Sequence, residues 1–351
     1  MKQLPKSIYT GKWEGGHIQG IAIDRERNYI YCSFTTEFIK LDMEGNLIGS
    51  VRGFTGHLGC MAYNYEDGRV YASLEYKNDD IGRHILNNLG VENEIKNAFY
   101  IAIFDVEKIT RPDMDAEKDG VMTTVWLREV LEDYLAEWEE DGVRKKHRYG
   151  CSGIDGMTFA PAFEGEGMRL LVAYGIYRDL KREDNDYQVL LSYKPENLET
   201  YEDILTAENI HVNGPASCDE RYFVYTGNTT YGIQNLEYDS YTGDIFVAVY
   251  KGTKPQYPNY DMFVIAGKQT PEIQELPGYY GEKGKVLALK EVGLTENNIY
   301  GYRFPYGQTG MYSLGDGRFY ISESGYVDGY HESNICLYRY TGEGMTGFEK
   351  I

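Results

Sequence analysis

The chain has 351 residues and a formal charge of -20 at pH 7, long enough for one large all-β domain or two ordinary ones. A surface this acidic repels phosphate backbones and anionic lipid, so neither nucleic acid nor a membrane surface is an expected partner. No apolar run reaches bilayer-spanning length and the first residues contain no apolar signal-type segment, so the expected setting is cytoplasmic.

The composition is rich in turn and strand formers: 40 glycines and 34 tyrosines against 10 prolines. Tyr and Gly alternating with short β-branched runs indicate strands joined by tight turns. Five cysteines, Cys32, Cys60, Cys151, Cys218 and Cys336, form no CxxC pair and read as buried reduced thiols.

In chain order, "KSIYTGKW" is a strand suited to closing the last unit of a ring. "GHIQGIAIDRERNYIYCSFT" and "GHLGCMAYNYEDGRVYASLEY" then align over their whole length, each as two strands around an acidic turn. The pattern returns in "SGIDGMTFAPAFEGEGMRLLVAYGIY", in "YGIQNLEYDSYTGDIFVAVYKG" and in "YGQTGMYSLGDGRFYISESGY". A third strand can be read after most copies: "TEFIKLD", "FYIAIFD", "YQVLLSY", "DMFVIAG" and "SNICLYRY". Hairpin units repeated about five times predict an all-β fold, a β-propeller of about five blades in a single domain over 1–351; a sixth blade is the alternative if residues 190–230 hide one.

Two insertions have helical spacing. "DDIGRHILNNLG" places Ile81, Ile85, Leu86 and Leu89 behind an Asp79 cap. "LREVLEDYLAEWEED" puts Leu127, Val130, Leu131, Tyr134, Leu135 and Trp138 on one stripe, with Glu137, Glu139, Glu140 and Asp141 facing solvent.

Blade polarity brings the start of each first strand and the end of each second strand to one funnel, where ligands of such folds bind. In "GCSGIDGMTFAP" the single acid, Asp155, aligns with Gln19, Gly59, Gln234 and Thr309, and His17 and His57 stand two places earlier in their copies. This is a polar ring at the channel mouth, suited to a ligand or metal and equally to ordered water. The second-strand ends add Glu75 with Lys77, Tyr177 with Arg178, Lys251, and Glu323 with Tyr326. Glu323 aligns with Phe34, Leu74, Tyr174 and Val249, and an acid in that apolar position is costly unless paired or solvated. The basic island "VRKKHRYG", with Arg148, leads into Asp155 and either binds an anionic group or neutralises neighbouring acids.

"DMDAEKDG" alternates acids as calcium loops do but lacks the Gly and distal Glu of an EF-hand. No GxSxG, P-loop or dinucleotide fingerprint occurs. The stretches "GHLGCMAYNYEDGRVYASLEYKNDDIGRHIL" and "KHRYGCSGIDGMTFAP" resemble a family of bacterial β-propeller proteins of poorly defined function, some of which carry a neuraminidase or glycosidase label. That resemblance implies the propeller over most of the chain. The sialidase box S-x-D-x-G-x-T-W is absent from the sequence.

The leading expectation is a hydrolase acting on a carbohydrate or related polar small molecule, with Asp155, Glu323 and Glu75 catalytic. Glu323 would be the acid, through a desolvated carboxyl, Asp155 the nucleophile or base, and Glu75 the helper. His17, Gln19, His57, Lys77, Arg148, Tyr177, Arg178, Gln234, Lys251 and Tyr326 are the expected ligand contacts. Two alternatives stand beside it. One is a metal-dependent esterase, lactonase or phosphohydrolase holding calcium or magnesium through Asp155, Gln19 and Gln234, with Glu75 as an optional further ligand. The other is a non-catalytic ligand-binding propeller.

Overall fold

A computed structural model of the chain describes residues 4–92, 96–140, 142–206, 209–277 and 281–351. Asp141 therefore lies outside the described residues. The strands form a five-bladed β-propeller. Blade 1 is built from Ile18–Ile23, Tyr29–Phe34, Glu37–Asp42 and Leu47–Arg52, and blade 2 from His57–Tyr63, Val70–Tyr76, Ala98–Phe104 and Met122–Trp126. Blade 3 comprises Cys151–Pro161, Met168–Ile176, Tyr187–Tyr193 and Glu220–Tyr225. Blade 4 comprises Thr229–Asp239, Asp244–Lys251 and Met262–Ile265. Blade 5 comprises Met311–Ser313, Arg318–Val327 and Tyr330–Tyr340.

Ser7–Trp13 pairs antiparallel with Tyr330–Tyr340, so the start of the chain completes the sheet of blade 5. Among the described residues of 190–230 there is no extra blade. Tyr187–Tyr193 and Glu220–Tyr225 are adjacent strands of blade 3, and the helical turn Pro195–Leu198 and the 3-10 turn Glu199–Tyr201 lie between them.

Inner strands are covered on both faces, so their sequences read as apolar runs rather than strict alternation. Ala98–Phe104, AFYIAIF, is buried along its whole length. Burying each large side chain contributes about 1.5–3 kcal/mol, and the clusters between neighbouring blades supply most of the driving force. Near the axis one residue ties several blades together. Asn235 Nδ2 donates to Gln19 O at 2.8 Å and to Gln308 O at 3.1 Å, while Cys60 Sγ lies 3.4 Å from Asn235 Oδ1. All five cysteines are unpaired; four are buried and Cys218 is half-buried, against the expectation that all are buried.

The first insertion is helix α1, Asp80–Leu89. Asp79 caps it by accepting from Gly82 N at 2.9 Å, and Gly90 ends it in the left-handed region. The second insertion departs from its expected stripe. Helix α2 spans Arg128–Leu135 only, and Glu137–Glu140 is a strand paired with Val143–Lys146. Leu127, Val130 and Tyr134 are buried as expected, but Leu135 is 55% exposed. Cross-strand charge pairs explain the change: Glu137 binds Arg144 and Lys146, and Glu140 binds Lys145.

Candidate functional site

His57 opens the first strand of blade 2, and Glu75 faces it in register near the end of the second strand. Lys77 follows as the chain leaves the sheet. The Glu75 and Lys77 side chains are almost wholly removed from solvent, and Lys77 Nζ bonds to Glu75 Oε1. A buried carboxylate is tolerable only when paired and hydrogen-bonded, and both conditions are met. Lys77 Nζ also donates to Ser152 O at 3.0 Å, and Glu75 Oε2 accepts from Ile154 N at 3.1 Å. That donor is free because the first strand of blade 3 breaks register with its neighbour between Ile154 and Met157. Gly153, just before it, has φ +129° and no side chain to obstruct Glu75.

Asp155 belongs to the same cluster from the channel side. Its Oδ2 accepts from Gln234 Nε2 at 3.0 Å, and Ser73 Oγ donates to its backbone carbonyl at 2.9 Å. A Cβ on Gly59 would lie 2.6 Å from Asp155 Oδ1, so the glycine that aligns with Asp155 in blade 2 makes room for it. Two members of the expected ring, Asp155 and Gln234, thus touch, and a third faces them.

Lys77 is paired with Glu75 and lies near Asp79, and its charge also reaches Asp155. Burial raises the Glu75 carboxyl above the usual carboxylate range, with Lys77 opposing the shift. Burial and then the Glu75 charge push Asp155 well above it, with Lys77 and Gln234 opposing. Lys77 moves the other way: burial alone would lower it, but Glu75 and Asp79 hold it charged. His57 is depressed to about 3, first by burial and then by Lys77 and His17, so its imidazole is neutral at physiological pH. His57 Nδ1 is buried without a hydrogen-bond partner, 3.7 Å from Glu75 Oε1.

His57, Glu75 and Lys77 line a cavity of about 500 Å3 between blade 2 and helix α1, within the range of about 300–1,000 Å3 typical of small-molecule sites. Asp79 links helix and cluster. Besides capping α1 it accepts from Tyr177 OH at 3.2 Å and lies 3.9 Å from Lys77 Nζ. Tyr177 is therefore at the site, held by a residue that the sequence identified only as a helix cap. Ser73 and the Ile154 amide were missed because backbone groups and a strand serine carry no distinguishing pattern.

Several expected contacts are elsewhere. Glu323 accepts from Tyr338 OH and Lys350 Nζ, both at 2.6 Å. Burial would raise its carboxyl, but Lys350 and Tyr338 bring it below the usual value, which is the reverse of what a proton donor requires. Alternation along the strand explains its placement. Ser322 bonds to Thr309 and Ser333, and Glu323 faces the opposite way. Arg148 is bound to Glu282 at 2.7 Å and lies 3.5 Å from Asp133. With Arg144, Lys145 and Lys146 also paired to acids, the basic island neutralises its neighbours. Gln19 donates to Thr35 Oγ1 at 3.1 Å.

Arg178 and Lys251 are exposed, and Tyr326 is 66% exposed on the blade 5 hairpin. Its ring lies 4.7 Å from that of His331, which is 6.1 Å from His17. Among the described residues no three His, Cys, Asp or Glu side chains group as cation ligands. The calcium set expected from sequence is instead engaged in protein contacts: Gln234 on Asp155, Gln19 on Thr35 and Glu75 on Lys77. In "DMDAEKDG", Asp115 accepts from Glu117 N and Lys118 N, and Asp119 binds Arg111.

No family model matches the chain, and no curated protein sequence does. Solved structures share its shape loosely. The soluble aldose sugar dehydrogenase of Escherichia coli in the apo form is 9% identical, with 94% of this chain and 98% of that chain covered and a TM-score of 0.42. A protein of Thermus thermophilus described as an oxidoreductase (glucose dehydrogenase) is 12% identical over 88% of this chain and 77% of that one, with a TM-score of 0.37. The β-propeller domain of Myceliophthora thermophila Cps50 (Swd1) is 9% identical over 94% and 99%, with a TM-score of 0.33. Identities and scores this low say nothing about activity. The neuraminidase and glycosidase labels find no support in them.

Proposed function

We propose that the chain is an acid–base hydrolase of a carbohydrate or related polar small molecule, working at the Asp155–Glu75–Lys77 cluster. The observation that carries this reading is a buried, lysine-paired carboxylate, Glu75, with a second, half-buried carboxyl, Asp155, held by Gln234 within its electrostatic reach. Three acidic groups, Glu75, Asp79 and Asp155, act on the one lysine, so holding a proton on one carboxyl reduces the uncompensated negative charge. Asp155, raised above the usual carboxylate range and bound by neutral Gln234 rather than by a cation, is the proton donor. Glu75, held ionised by Lys77 and the Ile154 amide, is the carboxylate that stabilises or attacks the reacting centre. These roles replace the assignment of Glu323 as the acid and Asp155 as the nucleophile or base.

Glycoside hydrolysis needs this division, one acid protonated and one ionised on either side of the bond. Glu75 lines the cavity beside helix α1, and Asp155 lies behind it, bound to Gln234 of blade 4. Neutral His57 and Tyr177 supply hydrogen-bonding groups beside the cluster. The test is turnover of a panel of aryl glycosides and oligosaccharides. Release of the aryl group by the wild-type protein supports the reading, and no turnover across the panel overturns it.

A further inference from the structure

The cavity beside blade 2 has two ends of different chemistry. Its floor is the polar trio His57, Glu75 and Lys77. Glu75 and Lys77 cancel each other's charge, and His57 Nδ1 still lacks a hydrogen-bond partner. The floor therefore suits a neutral, hydroxylated group better than an ion. The wall is mixed: beside Lys96, Glu117 and Asn209 it carries apolar side chains from three separate segments, Phe54 from the loop before blade 2, Ile81 and Ile85 from helix α1, and Leu205 and Ile210 from the loop after blade 3's third strand. Phe54, Ile85 and Leu205 are packed into the protein, whereas Ile81 is 39% exposed. A bare sugar on the floor would leave the wall's apolar side chains facing water.

We propose that the cavity binds an amphipathic small molecule, its hydroxylated end at His57, Glu75 and Lys77 and an apolar tail along Ile81, Ile85, Leu205 and Ile210. This rests on the proposed reading of the same cluster and narrows it: the substrate carries an alkyl or aryl group rather than being a free sugar. The tail contributes through desolvation, about fourfold in affinity for each methylene fully buried.

The test compares methyl and n-octyl β-D-glucosides, galactosides and maltosides by calorimetric titration, below the concentrations at which the octyl compounds form micelles. At least one octyl glycoside binds ten times or more tighter than its methyl counterpart. The double variant Ile81→Ser, Ile210→Ser shrinks that ratio severalfold at an unchanged melting temperature, and Leu135→Ser, exposed on helix α2, leaves it intact. Equal binding of methyl and octyl compounds, binding of neither, or a ratio unmoved by the double variant overturns the proposal. Failure of the hydrolytic reading is distinguishable: octyl preference without turnover of any glycoside retains the amphipathic site and removes the catalysis, while turnover without octyl preference does the reverse.

Discussion

A Cβ atom on Gly153 would stand 1.9 Å from Oε2 of Glu75. Blade 3 thus gives up a side chain where blade 2 places its buried carboxylate, and the two cannot be changed independently. The glycine's φ of +129° adds strain for any other residue. Gly153→Ala is expected to cost about 2 kcal/mol or more, combining strain with displacement of a paired buried charge. Urea unfolding checks this; a loss below about 0.5 kcal/mol, the level of an ordinary surface change, would show that Glu75 is not held there.

Lys77→Met removes the cation that is paired with buried Glu75 and whose charge also reaches Asp155. Breaking a buried pair in this way costs about 3–5 kcal/mol, and the cost depends on pH. Glu75 and Asp155 already sit above their unfolded values, and without Lys77 they rise further. A carboxyl raised in the folded state contributes stability that is complete below its unfolded value and is lost as pH rises through the folded one. The deficit of Lys77→Met relative to wild type should therefore be small near pH 4 and grow toward pH 8. A deficit independent of pH would mean that Lys77 acts through packing alone.

His57 predicts the opposite slope. Its folded value of about 3 lies below the ordinary 6.5, so between these pH values the unfolded chain binds the proton and the folded one does not. Stability then falls with acidification, by about 2 kcal/mol from this group at pH 5. His57→Gln removes that term. The variant should lose less stability than wild type between pH 7 and pH 5 in denaturant titrations, and parallel losses would contradict the buried neutral imidazole.

Much of the architecture was readable because each blade repeats one hairpin with local turn chemistry. The pairs His17/Gln19 and His57/Gly59 register blades 1 and 2, and Asp79 announces helix α1 by its own side chain. Prediction failed where a tertiary partner decides the outcome. Glu137–Glu140 carries good helix formers but pairs as a strand, because Arg144, Lys145 and Lys146 offer cross-strand partners that spacing within the segment does not show. Glu323 looked anomalous among apolar counterparts, and its explanation is Lys350, 27 residues away. Of the site, the alignment found Asp155, Glu75 and Lys77 individually. Their union depends on the register break in blade 3, which no residue type marks.

The most direct measurement sets Asp155→Asn beside Glu323→Gln, scoring each for turnover of the glycoside panel and for melting temperature. Asn at position 155 retains the shape and the Gln234 contact while removing the titrating proton. It should melt within a few degrees of wild type and lose activity roughly a hundredfold or more. Glu323→Gln, altering a carboxyl bound to Lys350 and Tyr338, should leave turnover unchanged. A folded Asp155→Asn protein with undiminished turnover, or a Glu323→Gln protein that loses it, would contradict the assignment of acid–base chemistry to the Asp155–Glu75–Lys77 cluster.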